Sequence, residues 1–140
     1  MNTTDLIIGI AGEHLVCADL LAQGYAAFMA SQNCPYDVAV QVGNKLIRVQ
    51  VKTAKSAKPF LQKRQQHIVG YTWWVRQGKG GRRSYQDDAF DVIALVGLDT
   101  KQIAYVGMGN VKQTMQIPVS GQRRNASKAF SDFPFDEAFQ

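Results

Sequence analysis

The chain is poor in cysteine and histidine and has no long apolar run, and each shortage narrows what it can be. Its two cysteines, Cys17 and Cys34, do not make a disulfide framework, and no metal-ligand spacing involves them. No stretch approaches the roughly 20 apolar residues that span a bilayer. The most apolar segment, Leu6 to Leu21, is interrupted by Gly, Glu, His and Asp, so neither a signal peptide nor a membrane helix is expected. There is no Gly-rich phosphate loop, nucleophile elbow or metal-histidine motif, which argues against a small-molecule enzyme. Recognition helices, zinc fingers, internal repeats and domain linkers are also lacking. The expectation is one intracellular domain, cytoplasmic or nucleoid-associated, over all 140 residues.

What is present is mildly basic. The net charge is +5 and the isoelectric point near 9.4, a balance suited to a polyanionic partner. The basic residues fall in three stretches, Lys52 to Arg64, Arg76 to Arg83 and Arg123 to Lys128, whereas Asp132 to Glu137 is acidic and aromatic.

The most informative stretch runs from Tyr36 to Lys52. Gly43-Asn44 separates two β-branched runs, and both residue types tolerate positive φ, so a two-residue hairpin turn is predicted there. Counting outward pairs Val42 with Lys45, Val40 with Ile47, Val38 with Val49 and Asp37 with Gln50. Alternation then gives Tyr36, Val38, Val40, Ile47, Val49 and Val51 one apolar face. Asp37, Gln50 and Lys52 share the other.

A helix is predicted from near Asp5, capped by Thr3 or Thr4 and ended by Gly24. Leu6, Ile10, Cys17, Leu20 and Leu21 lie on its core-facing side at the helical period, with Glu13 inside that arc. An acid so placed is costly unless it is paired, protonated or bound to a cation. Tyr25 to Met29 reads as a short strand or an extended entry, and strands are expected at Ile68 to Arg76, Phe90 to Leu98 and Gln102 to Gly107. Val111 to Pro118 reads as a strand or short helix, and Thr53 to Pro59 as a basic loop. Trp73 and Trp74 would put one indole on each face of their strand. Phe130, Phe133, Phe135 and Phe139 are too many aromatics to leave in water, so the tail should dock on the body or on a partner subunit.

For Glu13 a buried salt bridge is the plainer reading, for Asp37 a turn residue, and for Lys52 a solvated strand end. Their combination points elsewhere. Oxygen ligands such as Glu13 and Asp37 suit a hard cation like Mg²⁺ together with a phosphate substrate. Lys52 could then orient an attacking water or stabilise developing charge. Arg48 shares the site face and is suited either to phosphate or to a structural ion pair. Lys55, Lys58, Lys63 and Arg64 follow Lys52 closely and would flank a cleavage point. Lys79, Arg82 and Arg83 sit in a glycine-rich loop suited to a phosphate-contacting arm.

Pro35-Tyr36-Asp37 followed by Arg48-Val-Gln-Val-Lys52-Thr53 resembles the core motif of the PD-(D/E)-x-K nuclease superfamily. Gly9-x-x-Gly12-Glu13-x-x-Val16, with Gly24-Tyr25 after it, is similar to that family's leading helix. The nearest branch carries Gln at the motif's second acid and includes group I intron homing endonucleases; Holliday junction resolvases are more distant. The resemblance is good over residues 5 to 53 and loose from Phe90 to Val106. It implies an α/β, restriction-endonuclease-like fold with the N-terminal helix on a mixed central sheet. A core would span residues 5–107 and the aromatic tail 129–140.

The resemblance further implies a Mg²⁺-dependent DNA endonuclease, with Mn²⁺ as a substitute, of homing or restriction type. Glu13, Asp37, Gln50 and Lys52 would be catalytic, the first three holding the metal. Gln50 removes one negative charge from the commoner Glu, which favours one metal over two. Double-stranded DNA would be the substrate, and cutting both strands calls for a homodimer or homotetramer. Two rival readings share these residues: a junction resolvase, and a catalytically inactive DNA-binding module on the same fold.

Overall fold

The computed structural model describes residues 3–61, 67–75, 89–119 and 129–140. Helix α1 (Thr3–Ala22) leads into β1 (Ala26–Met29), β2 (Val38–Val42) and β3 (Lys45–Ala54). Strands β4 (Lys58–Leu61), β5 (His67–Trp74), β6 (Val92–Gly97), β7 (Gln102–Gly107) and β8 (Thr114–Pro118) follow, and α2 (Phe135–Ala138) closes the chain. A five-stranded sheet has the order β1-β2-β3-β6-β7, and a three-stranded sheet the order β4-β5-β8. Among the described residues only the β3–β6 pair is parallel. The large sheet is therefore mixed, as expected for this α/β architecture.

Hairpin register follows the local chemistry. Val42 pairs with Lys45, Val40 with Ile47 and Val38 with Val49. Of the two turn residues only Gly43 uses positive φ, at 60°. That fits a type II′ turn, which needs glycine at its first position alone. Helix α1 ends as Gly24 predicts: φ there is 97°, its N–H donates to the Leu21 carbonyl, and the Tyr25 N–H donates to that of Leu20. This pair of bonds is a Schellman cap.

Two apolar clusters lie on opposite faces of the large sheet. One joins Val16, Cys17 and Leu20 of α1 to Val38, Val40, Val49, Val51, Val92 and Ala94, with Phe135 of α2 buried among them. The other joins Ile93 and Leu95 to Tyr71, Trp73, Val75 and Phe130 beneath the small sheet. Strand β6 is thus buried on both faces, which explains its unbroken apolar run. The Trp73 indole N–H donates to the Val96 carbonyl at 3.0 Å, tying the sheets together.

Several expectations need correction. The buried face of α1 is Gly12, Val16, Cys17 and Leu20, whereas Leu6, Ile10 and Leu21 are exposed. The N-terminal half of the helix lines a cleft, which leaves Leu6 and Ile10 exposed. Tyr36 leaves the hairpin's apolar face and packs with the second cluster, because β2 starts only at Val38. The stretch expected as a basic loop instead ends β3 and begins β4. The glycine-rich loop from Gln77 to Arg83 lies outside the described residues.

Candidate active site

Strand β3 outruns its partner. The β2 ladder stops at Val38 opposite Val49, so Gln50 to Ala54 continue without β2 beside them. Asp37 fills the first step of that open edge. Its backbone N–H donates to the Val49 carbonyl at 2.9 Å, and its carbonyl accepts from Ala30 at 2.9 Å. Its carboxylate Oδ2 accepts the Val51 N–H at 2.8 Å, which satisfies a strand donor and fixes the acid over β3.

A cleft of about 650 Å³ opens at this edge, lined by Glu13, Asp37, Gln50, Lys52, Lys55 and Lys58 among others. The four residues expected to be catalytic thus meet in one place. The apolar N-terminal half of α1 contributes Leu6 and Ile10 to the same wall. Lys55 and Lys58 are exposed at the rim. Lys63, Arg64, Lys79, Arg82 and Arg83 lie outside the described residues.

The height of Glu13 above β3 is set by its neighbour Gly12. A Cβ on Gly12 would fall on the Thr53 hydroxyl, 3.0 Å from the Thr53 Cβ and 3.1 Å from its Cγ2. Only glycine admits this helix–strand approach. The Thr53 Oγ1 packed there is buried without a hydrogen-bond partner among the described residues.

Both acids hold their protons more tightly than usual. Burial raises the Glu13 carboxyl, and the charge of Asp37 raises it further against a lowering effect of His14. Burial also raises Asp37, opposed by the Val51 hydrogen bond and by Lys52. Among the described residues no salt bridge to Glu13 forms. Two close carboxylates disfavour each other's charge, and a shared cation relieves the conflict.

Of the two roles expected for Arg48, the structure shows the ion pair. Its Nη2 meets Asp91 Oδ1 at 3.0 Å, its Nε meets Oδ2 at 3.1 Å, and its backbone N–H donates to the same Oδ2 at 2.8 Å. Arg48 does not line the cleft, and this bidentate pair is the structural alternative to phosphate contact. Sequence reasoning missed Asp91 as its partner; the signal is an acid at the mouth of an apolar strand that pairs with β3.

The donor set fits a hard divalent cation. Glu13 and Asp37 offer carboxylate oxygens and Gln50 an amide carbonyl, and neither His nor Cys is among the described residues that line the cleft. Among the described residues no group of three His, Cys, Asp or Glu forms, so the amide has to serve if three side chains are to bind. No helix among the described residues is long and apolar enough to cross a membrane.

Comparison with known proteins agrees with this geometry. The chain superposes on the solved structure of a bacterial homing endonuclease, I-Ssp6803I, with a TM-score of 0.64 at 15% identity, covering 98% of this chain and 90% of that one. At that identity the likeness establishes the fold. No curated protein matches the chain. The PD-(D/E)XK endonuclease model matches residues 1–135, nearly the whole sequence. Together with the helix acid, the hairpin and Gln50-x-Lys52 in one cleft, that match shows that this chain belongs to the PD-(D/E)XK endonuclease family, deoxyribonucleases that typically work with divalent metals.

Proposed function

We propose that this protein hydrolyses phosphodiester bonds of double-stranded DNA with Mg²⁺, Mn²⁺ substituting, as an endonuclease of homing or restriction type. The observation that carries the reading is the convergence of Glu13, Asp37, Gln50 and Lys52 on one cleft with a lysine rim. The first three would hold the metal, which supplies positive charge against the scissile phosphate and acidity to the attacking water.

The remaining roles belong to the chain itself. Asp37, anchored by the Val51 N–H, keeps a carboxylate oxygen fixed in place. Gln50 provides a neutral donor, so the site carries one charge fewer than a Glu would give and suits one metal. The Lys52 ammonium, with three donors, positions the nucleophile and meets charge as it develops on phosphate oxygens. Lys55 and Lys58 hold the flanking backbone, joined by Lys63, Arg64, Lys79, Arg82 and Arg83 from outside the described residues.

Residues 1–140 form a single nuclease domain in this reading, with its core at 5–107. A homodimer or homotetramer would bring two such clefts to the two strands. An intracellular location, where DNA is met, goes with that substrate.

The test is supercoiled plasmid incubated with Mg²⁺ or Mn²⁺. Wild type should nick or linearise it, and Asp37→Ala or Lys52→Ala should cut at least about a hundredfold more slowly. An intact plasmid under wild type, with DNA binding retained, would overturn hydrolysis in favour of a binding module.

A further inference from the structure

A second groove, of about 380 Å³, adjoins the cleft. Lys55, Ser56, Lys58, Gly70, Thr72 and Trp74 line it, and the two lysines line both hollows. Its floor is the outer face of the small sheet. Alternation along β5 sends Tyr71 and Trp73 into the core, at 1% and 2% exposure, and turns Trp74 outward at 70%. Lys58 pairs across the sheet with Gly70, and both line the groove together with Trp74.

The described lining therefore holds two cations, an exposed indole and small hydroxyls, with no acid. An indole left in water forfeits the burial that large aromatics normally obtain, and neighbouring lysines repel each other. One occupant relieves both: a planar base with phosphates attached. Bases of an intact duplex are already stacked on each other, so only an unpaired base can lie on the indole.

We propose that Trp74 is a stacking platform for an unpaired nucleobase of the DNA strand entering the cleft, with Lys55 and Lys58 holding the adjoining phosphates. The proposal rests on the DNA endonuclease reading and narrows its substrate to DNA that presents a flipped or single-stranded base beside the cleavage point. Because the two lysines border both hollows, the stacked base belongs to a nucleotide close to the scissile phosphate.

The test uses the full chain in Ca²⁺ with two labelled substrates, a fully paired duplex and the same duplex carrying a short single-stranded bulge. Wild type should prefer the bulge. Trp74→Ala should weaken bulge binding about tenfold and duplex binding less than about twofold, and Trp74→Phe should retain most of the preference. A 2-aminopurine in the bulge should be quenched by wild type and Trp74→Phe and recover with Trp74→Ala, a readout of stacking independent of affinity. Equal loss on both substrates, no loss on either, or a change in sedimentation with Trp74→Ala would overturn the platform, the last by marking a self-association face. Preference for the bulge in Ca²⁺ by a wild type that cuts neither plasmid nor the bulged duplex in Mg²⁺ or Mn²⁺ would uphold the platform while removing the nuclease reading.

Discussion

Strand β3 meets a carboxylate at two points along its length, and the two are treated in opposite ways. Asp91 accepts the Arg48 N–H and Asp37 accepts the Val51 N–H, each at 2.8 Å. Beyond that shared anchor they diverge. Burial works to raise the Asp91 carboxyl, but the bidentate Arg48 guanidinium overrides it and holds the pKa below the usual carboxylate range. Asp37 instead lies with Glu13, and both stay above their ordinary values. A carboxylate answered by an arginine is a fastener. Two acids raised chiefly by burial, with Lys52 and His14 offsetting the shift only in part, are held in a costly state, which structural needs alone do not explain.

Converting one arrangement into the other tests the distinction most severely. Glu13→Lys supplies Asp37 with a cation on the same helix, and cleavage of plasmid should fall at least about a hundredfold while the melting temperature of the metal-free protein stays level or rises. A melting temperature well below wild type would show that Glu13 serves the fold instead. The reverse experiment is Asp91→Asn, which leaves Arg48 without its charge partner. Because Asp91 is about one-third exposed, solvent screens the pair, and denaturant unfolding should report a loss of about 1–2 kcal/mol. Cleavage per folded molecule should stay within about twofold of wild type; a much larger fall would place Arg48 back in the DNA-contacting set.

The smallest effect is in pH. A raised acid favours the folded state below its unfolded pKa and loses that contribution as pH rises through the folded value. In metal-free protein Asp37→Asn should therefore melt slightly higher than wild type at neutral pH, and the gap should close as pH falls below the usual 3.8. Asp91 has the opposite sign: its contribution is present above 3.8 and lost as pH falls through the lower folded value. Parallel melting curves for Asp37→Asn and wild type from pH 3 to 8 would refute the assignment for Asp37.

Much of the site was legible because it depends on local rules. Gly43 sets the turn, alternation sets the faces, and counting places Asp37 beside Gln50 and Lys52. Gly24 stops the helix for a reason visible in its residue type. The misses came from contacts distant in sequence. Nothing in α1 itself says that Leu6 and Ile10 lack a sheet beneath them, since that depends on where β3 ends. The Arg48–Asp91 pair requires knowing that β6 lies parallel to β3, and Tyr36 changes cluster because the second sheet covers the far face.

The notch at Gly12 has a wider bearing. With the Thr53 hydroxyl seated where a methyl group would otherwise be, α1 is indexed against β3 like a key against a wards plate. The gap between the helix acid and the ribbon is thereby written into the backbone rather than into adjustable side chains. Swapping Glu13 or Gln50 would leave that contact intact, whereas a side chain grown at position 12 would act as a wedge between α1 and β3.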